Sequence, residues 1–409
     1  VRHVILLAPH FPANQRRFVQ GLKAVGALVT GIVDTPWAHV DDEVRGLLDA
    51  YEVVTNVCDP VQVEAAVRRI QARGPWVHRL EATVEAHMNC AAQVRHACGI
   101  PGLSVDVVER CRDKITMKRH LRDQGFAVAQ DRPVTDADSA LQAARELGFP
   151  VILKPRDGAG ASKTYRIGDA AELAQAVAET GLARGGGFYT MEQFMEGHEA
   201  FYDTLSVDGV PVYEFVSHYF PGVLHAMRDR SVNPMILTTN RVELDSYAEL
   251  RDFGRRVIAA MEIGTAPTHM EWFYGPRGLV FSEIGARPPG VNVWDLYAAA
   301  NDLDLYTEWA RALCFGDVWA QPSRRLAGGL LNIRPTADGV VRGHVGVDQV
   351  QARFGEHIFK MHLPSIGSRT QPVAAGYRAN GWVYALHPDY DVLREMLTEI
   401  GRTLKIIAG

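Results

Sequence analysis

The sequence predicts an α/β protein with an α+β second half, divided into several units. Three observations carry this. Strand-like and helix-like segments alternate through the first 110 residues, the pattern of an open parallel sheet. A mid-strand lysine, Lys154, runs into a glycine-rich turn, DGAGASK. Two strands, HMEWF and FSEIG, each carry an apolar-flanked glutamate and are joined by GPRG. At 409 residues the chain exceeds one compact core, so roughly two to four units are expected.

The elements follow in order. HVILLA (3–8) is a buried parallel strand rather than a signal peptide. Asn14 to Gly26 forms a helix with Phe18, Leu22 and Val25 on one face, and Leu28 to Asp34 is the next strand. Weaker strands at 53–54 and 76–80 alternate with helices at 40–50 and 60–73. A longer helix at 82–98 is stopped by Gly99 and Pro101. A helix at 113–124, a strand at 127–134 and a helix at 136–147 lead to the strand PVILKPR. TYRI and a helix at 170–180, capped by Asp169, come next. Strands are expected at 188–195, 200–207, 211–217, 268–275 and 278–284. Helices are expected at 245–262, 291–313 and 389–404. The units are drawn at 1–110, 111–187, 188–320 and 321–409, the last a small α+β piece.

Composition excludes several classes. Forty-seven per cent apolar and 22 per cent charged residues describe an ordered globular chain. A net charge of -5 without a basic stripe argues against a nucleic-acid partner. No apolar run reaches the roughly 18 residues of a membrane span. The scattered Cys58, Cys90, Cys98, Cys111 and Cys314 form no zinc spacing and read as reduced thiols of a cytoplasmic protein.

The chemistry-bearing motifs start at 158–164. Gly158, Gly160, Ser162, Lys163 and Thr164 approach a phosphate-binding loop, but the glycine before the lysine is missing and a strand follows instead of a helix. Such a hairpin either covers phosphates with its N–H groups or is a plain surface turn. Lys154, among apolar neighbours, either meets an anion such as phosphate or snorkels to solvent. In MEQFMEGHE, the backbone and a following carboxylate suit adenine and ribose; solvated glutamates are the bland alternative. Glu271 and Glu283 on paired strands repel unless a cation lies between them, and oxygen ligands favour magnesium. Arg287, before Pro288 and Pro289, suits a carboxylate or oxyanion, or else pairs with one of the glutamates. His225, Arg228 and Arg230, in the polar loop-like stretch 217–235, and Arg334 are further anion-binding candidates or solvated side chains.

In this order the motifs resemble the ATP-grasp superfamily, and more narrowly its carboxylate–amine ligases, such as L-amino-acid (dipeptide) ligases and carnosine synthase-like enzymes. The resemblance rests on CRDKITMKRHL, VILKPRDGAGASK, EQFMEGHE and THMEWFYGPRGLVFSEIGARPPG. It implies an ATP-grasp fold with an N-terminal open parallel sheet, a small lid and a C-terminal sheet. It implies Lys114 and Lys154 as ATP lysines, and Gly158, Ala159, Gly160, Ala161 and Ser162 as the lid hairpin. Glu192, Gln193, Phe194 and Met195 would meet adenine, and Glu199 the ribose. Glu271 and Glu283 would hold Mg2+, with Mn2+ as a substitute. Arg287, with Gly290 and Asn292, would face the substrate. Two departures stand out. Lys118 replaces the usual arginine four residues after the first lysine. Gly285 replaces a usual asparagine ligand, a gap for Asn292 or the substrate to fill. The implied reaction joins a small carboxylic acid and an amine through an acyl phosphate, releasing ADP and phosphate. Bicarbonate activation and a non-catalytic ATP-binding role are the alternatives, and a homodimer is kept open as the assembly.

Overall fold

The computed structural model describes residues 1–158 and 163–409. Its N-terminal part is a four-stranded parallel sheet in the order Ala50–Val53, Leu28–Val33, His3–Leu7, Arg79–Glu81. The central strands are buried on both faces, so they read as unbroken apolar runs. Asp59 caps the helix Pro60–Arg73, whose first residue is proline. The helix expected at 82–98 is shorter, Met88–Cys98, and a 3-10 turn, Glu85–His87, precedes it. That turn aims Glu85 away from the sheet, at two arginines described below.

Residues 131–193 make the lid. It is a four-stranded antiparallel sheet in the order Asp131–Val134, Tyr189–Gln193, Val151–Pro155, Tyr165–Ile167. The helices Ala137–Leu147 and Ala170–Thr180 share its core. A boundary at 187/188 would cut away Tyr189–Gln193, the central strand that ties Asp131–Val134 to Val151–Pro155. At the other end, the helices Val105–Arg112 and Lys114–Asp123 belong to the body, not the lid. Val108, Cys111, Met117 and Leu121 pack with Tyr202, Phe281 and Ile284.

The body is one eight-stranded sheet. Its order is Gly278–Gly285, Ala266–Gly275, His198–Val207, Val210–Phe220, Met235–Thr238, Ala327–Ile333, Gly381–His387, Ile358–His362. The expected boundary at 320 therefore falls inside a continuous ladder, because Met235–Thr238 pairs with Ala327–Ile333. The stretch expected as a loop at 217–235 starts as strand through Phe220, held by Met235–Thr238 across from it. The expected helix 291–313 is two helices, Val293–Asn301 and Leu305–Phe315. Asp302 adopts a left-handed φ of 52° between them, and Asp304 caps the second. All five cysteines are unpaired. Among the described residues, no helix is long and apolar enough to cross a membrane.

The N-terminal unit docks on the body through the helix Gln15–Ala24. Phe18 sits among Trp294, Tyr306 and Trp309, with ring centroids 5.4, 5.0 and 5.1 Å away. Gly21 lets the two helices touch: a Cβ there would lie 2.4 Å from the Tyr306 carbonyl oxygen. Gly21→Ala should therefore destabilise the protein by about 1–3 kcal/mol. An unchanged urea midpoint would show that this contact is not tight.

Candidate active site

A cleft of about 890 Å³ lies between the lid sheet and the body. Buried lysines line its inner end. Lys114 opens the helix Lys114–Asp123, which Asp113 caps by accepting from the N–H groups of Ile115 and Thr116. The same carboxylate holds Arg156 at 2.6 Å, tying this helix to the end of the Lys154 strand. One helical turn after Lys114 comes Lys118. Lys154 faces both from the lid sheet. Glu192 stands beside Lys154 on the neighbouring strand, opposite Ile152.

These groups share charge. Glu192 Oε2 is 2.5 Å from Lys118 Nζ and 3.0 Å from Lys154 Nζ. Glu283 is 3.3 Å from Lys114 and 3.8 Å from Lys154. Lys114 Nζ also donates to the Gly158 carbonyl at 2.5 Å. Burial drives Lys118 down to about 8 against the pull of Glu192, and repulsion from Lys154 adds to it. Burial acts on Lys154 too, but two carboxylates outweigh it and hold that lysine above its usual value. Burial would raise Glu192, yet the two lysines keep it below the ordinary range. The cluster has more positive than negative charge among its five side chains, the condition for taking an anion. Ala159, Gly160, Ala161 and Ser162 lie outside the described residues.

The hinge follows Glu192. The N–H groups of Gln193 and Phe194 are taken by Gln130 and Pro150 carbonyls, at 2.9 and 3.3 Å. The N–H of Met195 has no such partner among the described residues. Around it lies an apolar slot lined by Ala129, Ile152, Phe194, Met195, Phe273 and Phe281. Arg166 stacks over Phe194 at 4.9 Å. Arg277, in the GPRG turn, donates to Gln193 Oε1 at 2.7 Å and so couples the hinge to the glutamate hairpin. A flat heteroaromatic ring with one acceptor for Met195 fits such a slot. Glu199 lines the cleft, but its Oε2 accepts from the Val223 N–H at 2.6 Å. Burial, with help from Glu271, pushes it up to about 8.

Glu271 and Glu283 are directly opposed across the antiparallel hairpin. Both line the cleft. Two hard oxygen donors meeting on one face fit a divalent cation such as Mg2+, with phosphate oxygens completing the shell. The two lysines on Glu283 act as its counter-charge here. A Cβ at Gly285 would lie in ordinary van der Waals contact with Arg287, 3.4 Å from its Cγ and 3.7 Å from its Nε, so the arginine side chain passes beside this position. Asn292 does not replace the missing asparagine. That residue is left-handed (φ 57°) just before the helix Val293–Asn301 and is not among the cleft-lining residues, whereas Gly290 is.

Arg287 is held from an unexpected side. Its Nε and Nη2 lie 2.9 and 2.8 Å from Glu85 Oε2, and its Nη1 donates to the Pro288 carbonyl at 2.8 Å. Arg112 holds the other Glu85 oxygen at 2.5 Å. Burial would raise Glu85, but Arg287 and Arg112 keep it below the ordinary carboxylate range. Among the described residues, neither Glu271 nor Glu283 forms an ion pair with Arg287. Glu85 was not singled out in the sequence because it lies some 200 residues away in a weakly patterned segment.

The remaining candidates separate. His225 and Arg228 line the cleft. Arg228 donates to the Thr164 carbonyl at 3.2 Å, linking the 221–229 segment to the lid. His225 is 3.6 Å from Asp229. Arg230 instead pairs with Asp338 at 2.5 Å, and Arg334 donates to the Ala226 carbonyl at 2.9 Å; neither lines the cleft. A loop carboxylate and a helix carbonyl, each about 100 residues away, supplied competing partners for them.

Comparison with known proteins agrees with this arrangement. Residues 113–200 match the family model described as carbamoyl-phosphate synthase L chain, ATP binding domain. Over 247 residues the chain is 27% identical to the L-arginine-specific L-amino acid ligase of Bacillus subtilis, covering 59% of each. The chain spans about half the length of the curated relatives it matches. An L-amino acid ligase from Bacillus licheniformis has the same fold, with a TM-score of 0.76 at 18% identity over 100% of this chain and 99% of that one. So does N5-carboxyaminoimidazole ribonucleotide synthetase from Thermotoga maritima, with a TM-score of 0.70 at 17% identity and 100% of both chains covered. Over residues 113–200 the chain is thus similar to a carbamoyl-phosphate synthase ATP-binding domain, and over its whole length it shares the fold of these ligases.

Proposed function

We propose that the chain is an ATP-dependent carboxylate–amine ligase acting through an acyl phosphate. The observation that carries this reading is Arg287. A guanidinium clamped by Glu85 stands beside an opposed carboxylate pair, in a cleft whose inner end is cationic. The ligase relative supports the same reaction class.

In this mechanism the adenine enters the slot at Met195, and Lys114 and Lys154 neutralise the phosphates. Glu271 and Glu283 would hold Mg2+, which when bound spreads the charge of the transferring phosphoryl group. Arg287 orients a substrate carboxylate, one oxygen of which attacks the γ-phosphorus as ADP leaves. An amine then attacks the acyl carbon. Arg287 stabilises the tetrahedral oxyanion, phosphate departs, and the amine loses its proton to give an amide. Such a fixed donor is typically worth about 3 kcal/mol. Lid and body exclude water from the acyl phosphate. The acid and the amine are small molecules, with amino acids the first class to test.

Three measurements test the reading. Incubated with ATP, Mg2+ and paired amino acids, the protein should yield an amide and ADP in equal amounts, and neither without both substrates. AMP and pyrophosphate as products would rule out the acyl phosphate, and ATP turnover driven by bicarbonate alone would reassign the enzyme to carboxylation.

Arg287→Ala and Arg287→Lys should each lose at least about 100-fold in turnover with near-normal ATP binding, because lysine lacks the planar fork. Glu85→Gln should shift turnover the same way by less. Wild-type rates in the arginine variants would remove Arg287 from the chemistry.

Lys154→Ala should weaken ATP binding. It also leaves Glu192 with Lys118 alone, so nucleotide-free stability should fall by up to about 3–5 kcal/mol. Unchanged affinity by calorimetry together with normal turnover would contradict the lysine's role.

A further inference from the structure

Glu271 shares its face of the strand with His269, two residues earlier, and both line the cleft. His269 stands opposite Asp203 on the neighbouring strand. Asp203 is 1% exposed, so a free carboxylate oxygen there would be costly. Neither oxygen is free. Oδ1 meets His269 Nδ1 at 2.7 Å, and Oδ2 accepts from the Tyr297 hydroxyl at 2.6 Å. Tyr297 is fixed in turn. Its ring stacks on Phe215 at 4.3 Å and 9°, and its hydroxyl lies 3.0 Å from Ser217 Oγ. With Nδ1 held, the imidazole has one free direction. Along it, Nε2 lies 3.7 Å from Glu271 Oε1, the oxygen that also accepts from Tyr219 at 3.3 Å.

On the other flanking strand, His269 stands opposite Gly285. That position has no side chain, and Arg287 passes beside it. So no side chain of that residue steadies the site. A buried carboxylate is seldom the cheapest way to stabilise a sheet. Here its hydrogen-bonded chain ends on His269, whose Nε2 faces Glu271 at 3.7 Å.

We propose that Tyr297, Asp203 and His269 form a rail that orients Glu271 toward its divalent cation, with His269 as a positioning residue in place of the asparagine the chain lacks. This rests on the metal reading of Glu271 and Glu283. The rail touches neither substrate nor phosphate. Its loss should therefore alter the demand for metal rather than the affinity for nucleotide.

The test is Mn2+ binding by the intact protein with a non-hydrolysable ATP analogue, followed by electron paramagnetic resonance without turnover. Asp203→Asn and His269→Asn should weaken Mn2+ about tenfold or more. His269→Gln, whose amide reaches the position of Nε2, should retain most of the affinity. Tyr297→Phe keeps the ring stack and should fall between. Analogue affinity without metal should stay unchanged in all four. The Mg2+ concentration for half-maximal turnover should rise in the same order. Mn2+ affinities equal to wild type in Asp203→Asn, Tyr297→Phe and His269→Asn would overturn the rail while leaving the metal site standing. Equal losses in His269→Asn and His269→Gln would also overturn it, by assigning the effect to ring packing. A wild-type protein that takes up no Mn2+ with the analogue would remove the metal site itself, and the rail with it.

Discussion

Three ammonium groups and two carboxylates are buried together where the lid meets the body, and much of the architecture exists to allow this. Charges are removed from water at a cost of several kcal/mol each unless they are paired. Glu192 therefore serves both Lys118 and Lys154, and Glu283 serves Lys114 and Lys154. Each glutamate lies on a different sheet. Lid and body are thus bridged by one shared charge cluster.

The same economy governs the substrate end. Arg287 is a half-buried cation, and among the described residues it forms no ion pair with Glu271 or Glu283. The N-terminal unit supplies Glu85, with Arg112 of the body on its other oxygen. This explains why a small parallel sheet is docked so firmly against the body through Phe18 and Gly21. A loose N-terminal unit would leave the guanidinium unaimed.

The glutamate hairpin is the mechanical centre. Its turn reaches the hinge through Arg277 and Gln193, its middle carries Glu271 and Glu283, and its end leads into Arg287. One hairpin therefore connects residues 193–195, the opposed glutamates and Arg287. Arg228, bonded to the Thr164 carbonyl, adds a second link from the body to the lid.

Much of this was legible in the sequence. The parallel sheet followed from apolar runs at 3–8 and 28–34, since strands covered on both faces have no polar alternation to hide them. Lys154, Glu271 and Glu283 stood out as charges among apolar neighbours on strands. Local chemistry alone suggested that each faced a pocket. Asp169 marks a helix start that the structure keeps, because a cap depends only on residues two or three positions away. What only the tertiary structure decided is pairing across long separations. The sequence could not show that Tyr189–Gln193 completes the lid, that residues 327–387 extend the body sheet, or that Glu85 finds Arg287. Nor could it show that Arg230 is spent on Asp338, or that Asp203 and Tyr297 stand behind His269. Burial and periodicity are written into neighbouring residues. Which partner satisfies a buried charge depends on strand order and docking, and those are properties of the folded chain as a whole.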